Sequence, residues 1–585
     1  MKSILSGNEA IARGFVQAGG KFASAYPGTP STEVLENLSK VEGIHAEWST
    51  NEKVAMEAAI GGSFGGVRAL SCMKHVGVNV AADPLLTVAY TGVNAGLVLM
   101  CADDPGMFSS QNEQDSRHYA RLAKIPCIEP SDSQEAYDFT RLAFDISERF
   151  DTPVMLRTTT RVSHCKSVVE GGEPITVEGR GIVQDFGKYV MLPGNAKKRH
   201  EVVEQRTSKL KEWAETAEIN KVIPGSRKLG IITGGISFQY ANEAFPEASF
   251  LKLGMSWPLP ENKIKEFAAT VGELAVVEEL DPFIEDAVRA MGITVHYGKG
   301  VLPVCGEYST TLLREKISGA NVDKKPAVGG LIMRPPTFCP GCSHRGLYTV
   351  LAKLKPFVSG DIGCYTLGAL PPFSSLHSCI CMGQSISGAH GISKALELQG
   401  AKKQKPVAVI GDSTFLHSGL TGLMNMIYNG GDAVVVIMNN DTTGMTGGQE
   451  HPGTGRTAKG ATAPKIDIQT LCRTIGAKRV REIDTYSIKE LEAIFKEEME
   501  AEGPSVLVSN QPCVLRYKIV KKPLRGNAEK CVACKMCLKA GCIGLSLVEK
   551  DGKKFVELDP LLCNGCGVCM QLCKKGAIQP LEEVV

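Results

Sequence analysis

The first 180 residues switch repeatedly between two hydrophobic periods. Stretches with apolar residues every three to four positions, as in helices, alternate with short continuous apolar runs of strand length. The series closes on the strand-like TPVMLRTTTR. Residues 181–227 are polar, and NAKKRHEVVEQRTSKLKEWAE within them predicts an exposed helix in a connector. A new unit begins at Lys228, where KLGIITGGISFQYANEA reads as strand, glycine turn and helix. LAVVEEL at 274–280 reads as a second buried strand of this unit, which extends to residue 325. NVDKKPAVGG at 321–330 predicts a linker. Residues 331–520 repeat the alternation, and KKPLRGNAEK leads into a cysteine-rich tail at 523–585. Strands alternating with helices predict an α/β chain of several doubly wound parallel-sheet domains, with a small α+β domain for the tail.

The longest uncharged run, LLTVAYTGVNAGLVLMCA at 85–102, is long enough to raise the question of a membrane span. Gly92, Asn94 and Gly96 interrupt it and DDPG ends it, so it reads as helix, turn and the buried strand GLVLMCA. Composition points the same way. With 43% apolar and 22% charged residues, the 585-residue chain reads as globular and cytoplasmic, with room for several domains. The net charge is +2 and no long basic run occurs, which argues against nucleic acid as a partner. MKSILSGNEAIARGF lacks the apolar stretch of a signal peptide. The 20 cysteines are therefore expected in a reducing compartment, as metal ligands more than as disulfides.

Eight of those cysteines fall in two runs, Cys531, Cys534, Cys537 and Cys542, then Cys563, Cys566, Cys569 and Cys573. Tight CxxCxxC turns aim three thiolates at one face of a metal–sulfur cluster. Zinc sites pair two CxxC units well apart, so zinc is the weaker reading. The two runs resemble a bacterial two-cluster ferredoxin. That resemblance implies two [4Fe-4S] clusters with exchanged fourth ligands. Cys531, Cys534, Cys537 and Cys573 would hold the first, and Cys542, Cys563, Cys566 and Cys569 the second. The chain departs from the pattern after each fourth cysteine, where Ile543 and Lys574 replace proline, and in the four-residue last gap of the first run.

In GDSTFLHSGLTGLMNMIYNGGDAVVVIMNN at 411–440, a helix from about Leu416 to Tyr428 sits between the strands VAVIG and AVVVIM. This unit carries Gly411, Asp412 and Ser413 past the end of one strand and Asn440 past the end of the next. Open α/β sheets bind ligands at that edge. A carboxylate beside an amide oxygen suits Mg2+ holding a diphosphate. A Rossmann-like turn with an incidental aspartate is the competing reading. The stretch resembles the GDG…NN motif of thiamine diphosphate enzymes, with Ser413 in place of the third residue. By that resemblance Asp412, Asn440 and the carbonyl of Thr442 hold Mg2+. DTTGMTGGQ at 441–449, with Gly447, Gly448 and Gln449, resembles the NTGGQ segment of the 2-oxoacid:ferredoxin oxidoreductases. So does CPGC at 339–342, and GNEAIARGFVQAGGKFASAYPGTPST resembles the family's pyrimidine-binding domain with its YPxTPS loop.

The resemblance assigns each unit a role. Residues 1–180 would bind the thiamine pyrimidine, 228–325 would be transketolase-C-terminal-like, 331–520 would bind diphosphate and Mg2+, and 523–585 would be ferredoxin-like. It implies oxidative decarboxylation of a 2-oxoacid with coenzyme A, with electrons leaving through the clusters to a soluble ferredoxin. Glu52 matches the glutamate that holds a proton on the thiamine aminopyrimidine, with Glu47 and Glu57 as rivals. Thr29 would hydrogen-bond the substrate, or only shape its turn. Gly28, where pyruvate-using relatives carry a branched residue, would leave room for a bulky aryl side chain. The domain order resembles the large subunits of the family's indolepyruvate branch. This implies an aryl 2-oxoacid, an aryl-acetyl-CoA product and a separate small (beta) subunit of about 200 residues, about one domain, in a heterodimer or dimer of heterodimers. Pyruvate or phenylglyoxylate as substrate, a non-oxidative thiamine decarboxylase and a purely electron-carrying subunit are the alternatives. His75 and His344 are candidate active-site residues, against the commoner structural role of a lone histidine. Cys339, Cys342, Cys364 and Cys513 match the ligands of a third [4Fe-4S] cluster beside thiamine, with four unrelated buried cysteines as the alternative.

Overall fold

The computed structural model describes residues 2–320, 329–330, 335–401 and 404–581. Only the last two residues of the linker expected at 321–330 are among them. The chain forms two compact units, Met1–Ala327 and Val328–Val585.

The first unit is built on a seven-stranded sheet. Its order is Met255–Trp257, Cys127–Ile128, Val154–Thr159, Leu97–Asp103, Ala69–Lys74, Phe22–Ala25, His45–Trp48. Neighbours run parallel except at the edge, where Met255–Trp257 pairs antiparallel with Cys127–Ile128. Strands such as Leu97–Asp103 are buried along their whole length, as expected when helices cover both faces. The uncharged run folds as helix Ala82–Thr91, a turn with Gly92 at φ +69°, then that strand. Among the described residues no helix is long and apolar enough to cross a membrane. A second sheet has the order Glu273–Val277, Ser226–Gly234, Ala248–Leu253, Lys221–Ile223. Residues after this sheet's third strand thus complete the edge of the first sheet, and the two sheets share one unit.

The connector helix is not the exposed element its polarity suggested. Pro193–Thr216 buries Val203, Arg206, Leu210 and Ala214. Arg206 donates to the carbonyls of Ala89 and Asp151 at 2.7 Å each. Three small or apolar side chains make too narrow a stripe to read in so charged a helix, and the fourth position is an arginine whose stem packs like an apolar chain.

The second unit holds a five-stranded parallel sheet, ordered Val358–Ser359, Val407–Gly411, Val434–Asn439, Ser505–Asn510, Arg479–Glu482. The tail adds the antiparallel pairs Leu524–Gly526 with Ile578–Pro580 and Leu545–Lys550 with Lys553–Leu558. One apolar core runs through both parts, joining Val407, Val434 and Leu507 of the sheet to Leu524, Val556, Val568 and Ile578 of the tail. The helix expected from Leu416 starts four residues earlier, at Asp412, and continues through a π-turn, Phe415–Gly419, into Leu420–Tyr428. Its first turn is polar and buried, so no hydrophobic period announces it. Gly411 pairs with Met438 across the sheet, which brings Asp412 and Asn440 to one edge.

Candidate active site and cysteine sets

In the first unit the helix Glu52–Phe64 begins at Glu52, capped by Asn51, whose side chain accepts from the Val54 amide at 2.9 Å. Glu52 is 5% exposed. Its rivals differ. Glu57 is exposed and paired with Lys53, and Glu47 is partly exposed and 2.7 Å from His45. A Cβ on Gly77 would lie 2.7 Å from the Glu52 Cγ, so only glycine lets the backbone pass there. Lys74, at the end of the strand Ala69–Lys74, was not singled out from sequence. It is buried and donates to the Ser109 carbonyl at 2.9 Å. Burial lowers its ammonium to about 8, against the Asp104 and Glu52 charges that favour the cation. Its stem also fills the space beside Gly28, where a Cβ would meet it at 3.2 Å. That space is therefore not the open room for a substrate side chain expected from the glycine. Thr29 is half-buried, and its carbonyl accepts from Ser109 Oγ at 3.1 Å. His75 is fully buried, with Nε2 3.2 Å from the Asn112 carbonyl and Nδ1 without a hydrogen bond.

In the second unit Asp412 is 2% exposed. One of its oxygens accepts from the Ser413 amide at 2.9 Å and the other from the Asn440 amide at 3.1 Å. The Asn440 side-chain oxygen accepts from the Thr442 amide at 3.2 Å. The loop returns on itself. Thr443 donates to the Gln449 carbonyl at 3.0 Å, and Gly448 donates to the Thr443 carbonyl at 3.1 Å. Gly447 and Gly448 have φ of +122° and +95°, values side-chain-bearing residues avoid. The carboxylate and the amide oxygen, brought to one strand edge, make a hard oxygen pair of the kind that suits Mg2+ on a diphosphate. Two histidines face it. His451, missed in the sequence, is buried with Nε2 3.2 Å from Asp412 Oδ2. His344 is buried too, and burial holds its imidazole down to about 4, with the Asp412 charge working the other way. Its Nδ1 lies 3.1 Å from Cys342 Sγ.

No two of the twenty cysteines are joined in a disulfide. Cys531, Cys534, Cys537 and Cys573 line one cavity of about 360 Å³ that is open in part to solvent. Cys542, Cys563, Cys566 and Cys569 line another of about 380 Å³. Each cavity takes three cysteines from one run and the fourth from the other. The second cavity is also walled by Pro340, Gly341 and Arg345. Cys339 and Cys342 on one turn, and Cys364 and Cys513 on two other loops, lie close enough for their charges to influence one another. Burial pushes the Cys364 thiol up to about 11, and Cys513 and Cys339 add to it. Burial likewise raises Cys342, with Cys364 and Cys339 adding. This set adjoins the diphosphate loop. The Cys513 amide donates to the Asn440 carbonyl at 3.0 Å, and a Cβ on Gly444 would sit 3.5 Å from Cys364 Sγ.

Comparison with known proteins agrees with this chemistry. Residues 13–183 match the family described as "Pyruvate flavodoxin/ferredoxin oxidoreductase, thiamine diP-bdg". Residues 361–509 match "Thiamine pyrophosphate enzyme, C-terminal TPP binding domain", and 556–579 match "4Fe-4S binding domain". The indolepyruvate oxidoreductase subunit IorA of Methanothermobacter thermautotrophicus is 40% identical over 99% of this chain and 97% of its own. That of Pyrococcus horikoshii is 39% identical over 100% and 97%. Among solved structures, 2-oxoglutarate:ferredoxin oxidoreductase from Magnetococcus marinus aligns with 54% of this chain and 65% of its own, at 16% identity and a TM-score of 0.46. The domain matches make thiamine diphosphate and [4Fe-4S] clusters the cofactors of this chain. With near-complete coverage by relatives at this identity, the chain belongs to the indolepyruvate oxidoreductase IorA family and is a thiamine-dependent 2-oxoacid:ferredoxin oxidoreductase.

Proposed function

We propose that the chain catalyses oxidative decarboxylation of an aryl 2-oxoacid of the indolepyruvate kind with coenzyme A. The products are an aryl-acetyl-CoA, carbon dioxide and reduced ferredoxin. The observation that carries this reading is the unbroken series of cysteine sets running from the diphosphate loop into the tail. Cys364 and Cys513 adjoin Gly444 and Asn440, and the CPGC turn walls the next cavity. Cys569 of that cavity is close enough to Cys537 of the last one for the two thiols to influence each other. Cys534 of the last set is exposed. Three [4Fe-4S] clusters in these sets would form a wire from the diphosphate site to the surface.

Bound thiamine diphosphate supplies the electron sink that releases carbon dioxide and yields two electrons. The chain's own residues prepare that step. Asp412, the Asn440 side chain and the Thr442 carbonyl would hold Mg2+ on the diphosphate, while Gly411, Ser413, Gly447, Gly448 and Gln449 would shape its cradle. Glu52 would hold a proton at the aminopyrimidine N1′, and Thr29 would donate its hydroxyl to the substrate carboxylate or keto oxygen. The aryl preference rests on the relatives' names, since the space at Gly28 is filled. Those relatives are named as subunits, which supports a separate small subunit as partner in a heterodimer or dimer of heterodimers.

The test uses the chain co-purified anaerobically with its small subunit. The wild-type protein should carry about twelve irons, and Cys339→Ser with Cys513→Ser about eight, with the tail signals intact in paramagnetic resonance. Iron unchanged by the double substitution would sink the third cluster. Turnover of indolepyruvate, pyruvate and phenylglyoxylate with coenzyme A and ferredoxin decides the substrate. A kcat/KM for pyruvate equal to that for indolepyruvate would reject the aryl reading.

A further inference from the structure

Arg345 follows the CPGC turn by three residues, in the first turn of the helix His344–Leu354. It is 1% exposed. Its Nε donates to the Cys339 carbonyl at 2.9 Å and its Nη1 to the Ala540 carbonyl at 3.2 Å. Nη1 also reaches the Gly541 carbonyl, and Nη2 the Phe338 carbonyl. Every acceptor is neutral, and no carboxylate among the described residues pairs with this guanidinium. Of the other deeply buried arginines, Arg206 is likewise held by two backbone carbonyls, though within range of the Asp151 charge, and the rest are paired with carboxylates. Arg117 is paired with Asp115 and Glu278, and Arg157 with Asp103 and Glu129. A buried charge without a counter-charge is costly enough that folds rarely keep one.

The groups around Arg345 are thiols. It lines the cavity of Cys542, Cys563, Cys566 and Cys569. Its carbonyl acceptors lie on the two loops that carry Cys339 and Cys542. Cysteines that ligate iron are thiolates, and a [4Fe-4S] cluster with four of them is an anion. Resting on the cluster reading above, we infer that Arg345 is the counter-charge shared by the cluster of Cys339, Cys342, Cys364 and Cys513 and the second tail cluster. A cation held there stabilises the reduced form of each and eases the electron's passage from one to the other. Lacking any carboxylate, it keeps its whole charge for the clusters.

The experiment compares Arg345→Gln and Arg345→Lys with wild type in the full chain bound to its small subunit. Iron analysis comes first. Iron for only two clusters in the wild-type protein would remove the shared role together with the reading beneath it, before any variant is considered. With three clusters present, redox titration followed by paramagnetic resonance gives each potential. In Arg345→Gln the two clusters beside Arg345 should become about tenfold harder to reduce, 59 mV for one electron. The first tail cluster should not move, and Arg345→Lys should stay near wild type. Loss of the two flanking clusters in the glutamine variant, with both kept in the lysine variant, carries the same meaning. Unchanged potentials in the glutamine variant, equal shifts in both variants, or loss of clusters in both would overturn the inference. Arg345 would then be only a hydrogen-bonding stitch between loops.

Discussion

Glu52, Glu47 and Glu57 lie within eleven residues of one another, and it is burial, not spacing, that separates them. The family motif pointed to Glu52 before any coordinate did, but its enclosure by Gly77 comes from chain not adjacent in sequence. Lys74 and His451 were illegible for the same reason, since each gains its role only when a distant segment folds against it. Glu52→Gln should retain fold and cofactor yet slow deuterium exchange at thiamine C2 by about 10²-fold or more. Exchange at the normal rate would pass the role to another group. Asp412→Ala should lose thiamine diphosphate on gel filtration while the iron content stays, because the tail cysteines hold their metal independently. Retained thiamine in that variant would refute the metal-ligand role. Lys74 gives a pH test with a definite sign. Its ammonium falls from 10.5 to about 8 in the folded chain, first because it is buried. Below pH 8 folded and unfolded chains both carry the proton, and the burial cost is felt in full. Between 8 and 10.5 the folded chain has released a proton the unfolded chain keeps, so stability rises with pH across that window. Lys74→Met removes the cost. Its melting temperature should exceed wild type below pH 8, and the gap should close towards pH 10.5. A gap that widens with pH would show that the ammonium is a net stabiliser.

At the scale of elements, alternation of strand and helix was readable throughout, because apolar runs such as VAVIG and LVLMCA stand out between amphipathic helices. Two things were not. The first turn of the helix at Asp412 is made of buried polar residues serving the site, so a search for hydrophobic period starts it too late. The connector helix is anchored partly by Arg206, which composition counts as polar. The CPGC turn is the element on which the wire depends most. Gly341 has φ +76°, and a Cβ there would overlap the Asn564 amide. The Tyr486 hydroxyl donates to its carbonyl at 2.7 Å, and Gln571 ties the same loop to the tail by accepting from the Ile488 amide at 3.0 Å. Gly341→Ala is strained in conformation and in space. It should push the turn off the tail and cost iron from the sets holding Cys339 and Cys563, while the set holding Cys534 keeps its cluster. Site-resolved resonance spectra check this, and full retention of all signals would mean that the turn is not held by this packing.

At the scale of the whole chain, the shared core of sheet and tail means that the ferredoxin-like segment is not a removable appendage. Cutting it away would open that shared core, so tests of the wire belong in the intact protein. Net charge is likewise a whole-chain figure that hides local structure. The balance of +2 gives no hint of a partner, yet the rim of the last cysteine set is basic. Lys530, Lys535, Lys574 and Lys575 are exposed there, and none has an ion-pair partner among the described residues. Lys535 and Lys575 line the cavity itself, and Val532 beside them is 61% exposed. An apolar centre ringed by exposed cations around an exposed cysteine suits an acidic electron carrier, drawn in by charge and seated by contact. Lys535→Glu with Lys575→Glu should therefore lower kcat/KM for an acidic ferredoxin by about tenfold or more at low ionic strength. The loss should shrink as salt screens the encounter, over a Debye length of about 8 Å at physiological strength. Reduction of a small uncharged dye should be unaffected, because it needs no such steering. An equal loss with dye and ferredoxin would place the defect in the wire instead, and an undiminished ferredoxin rate would mean that electrons leave by another face.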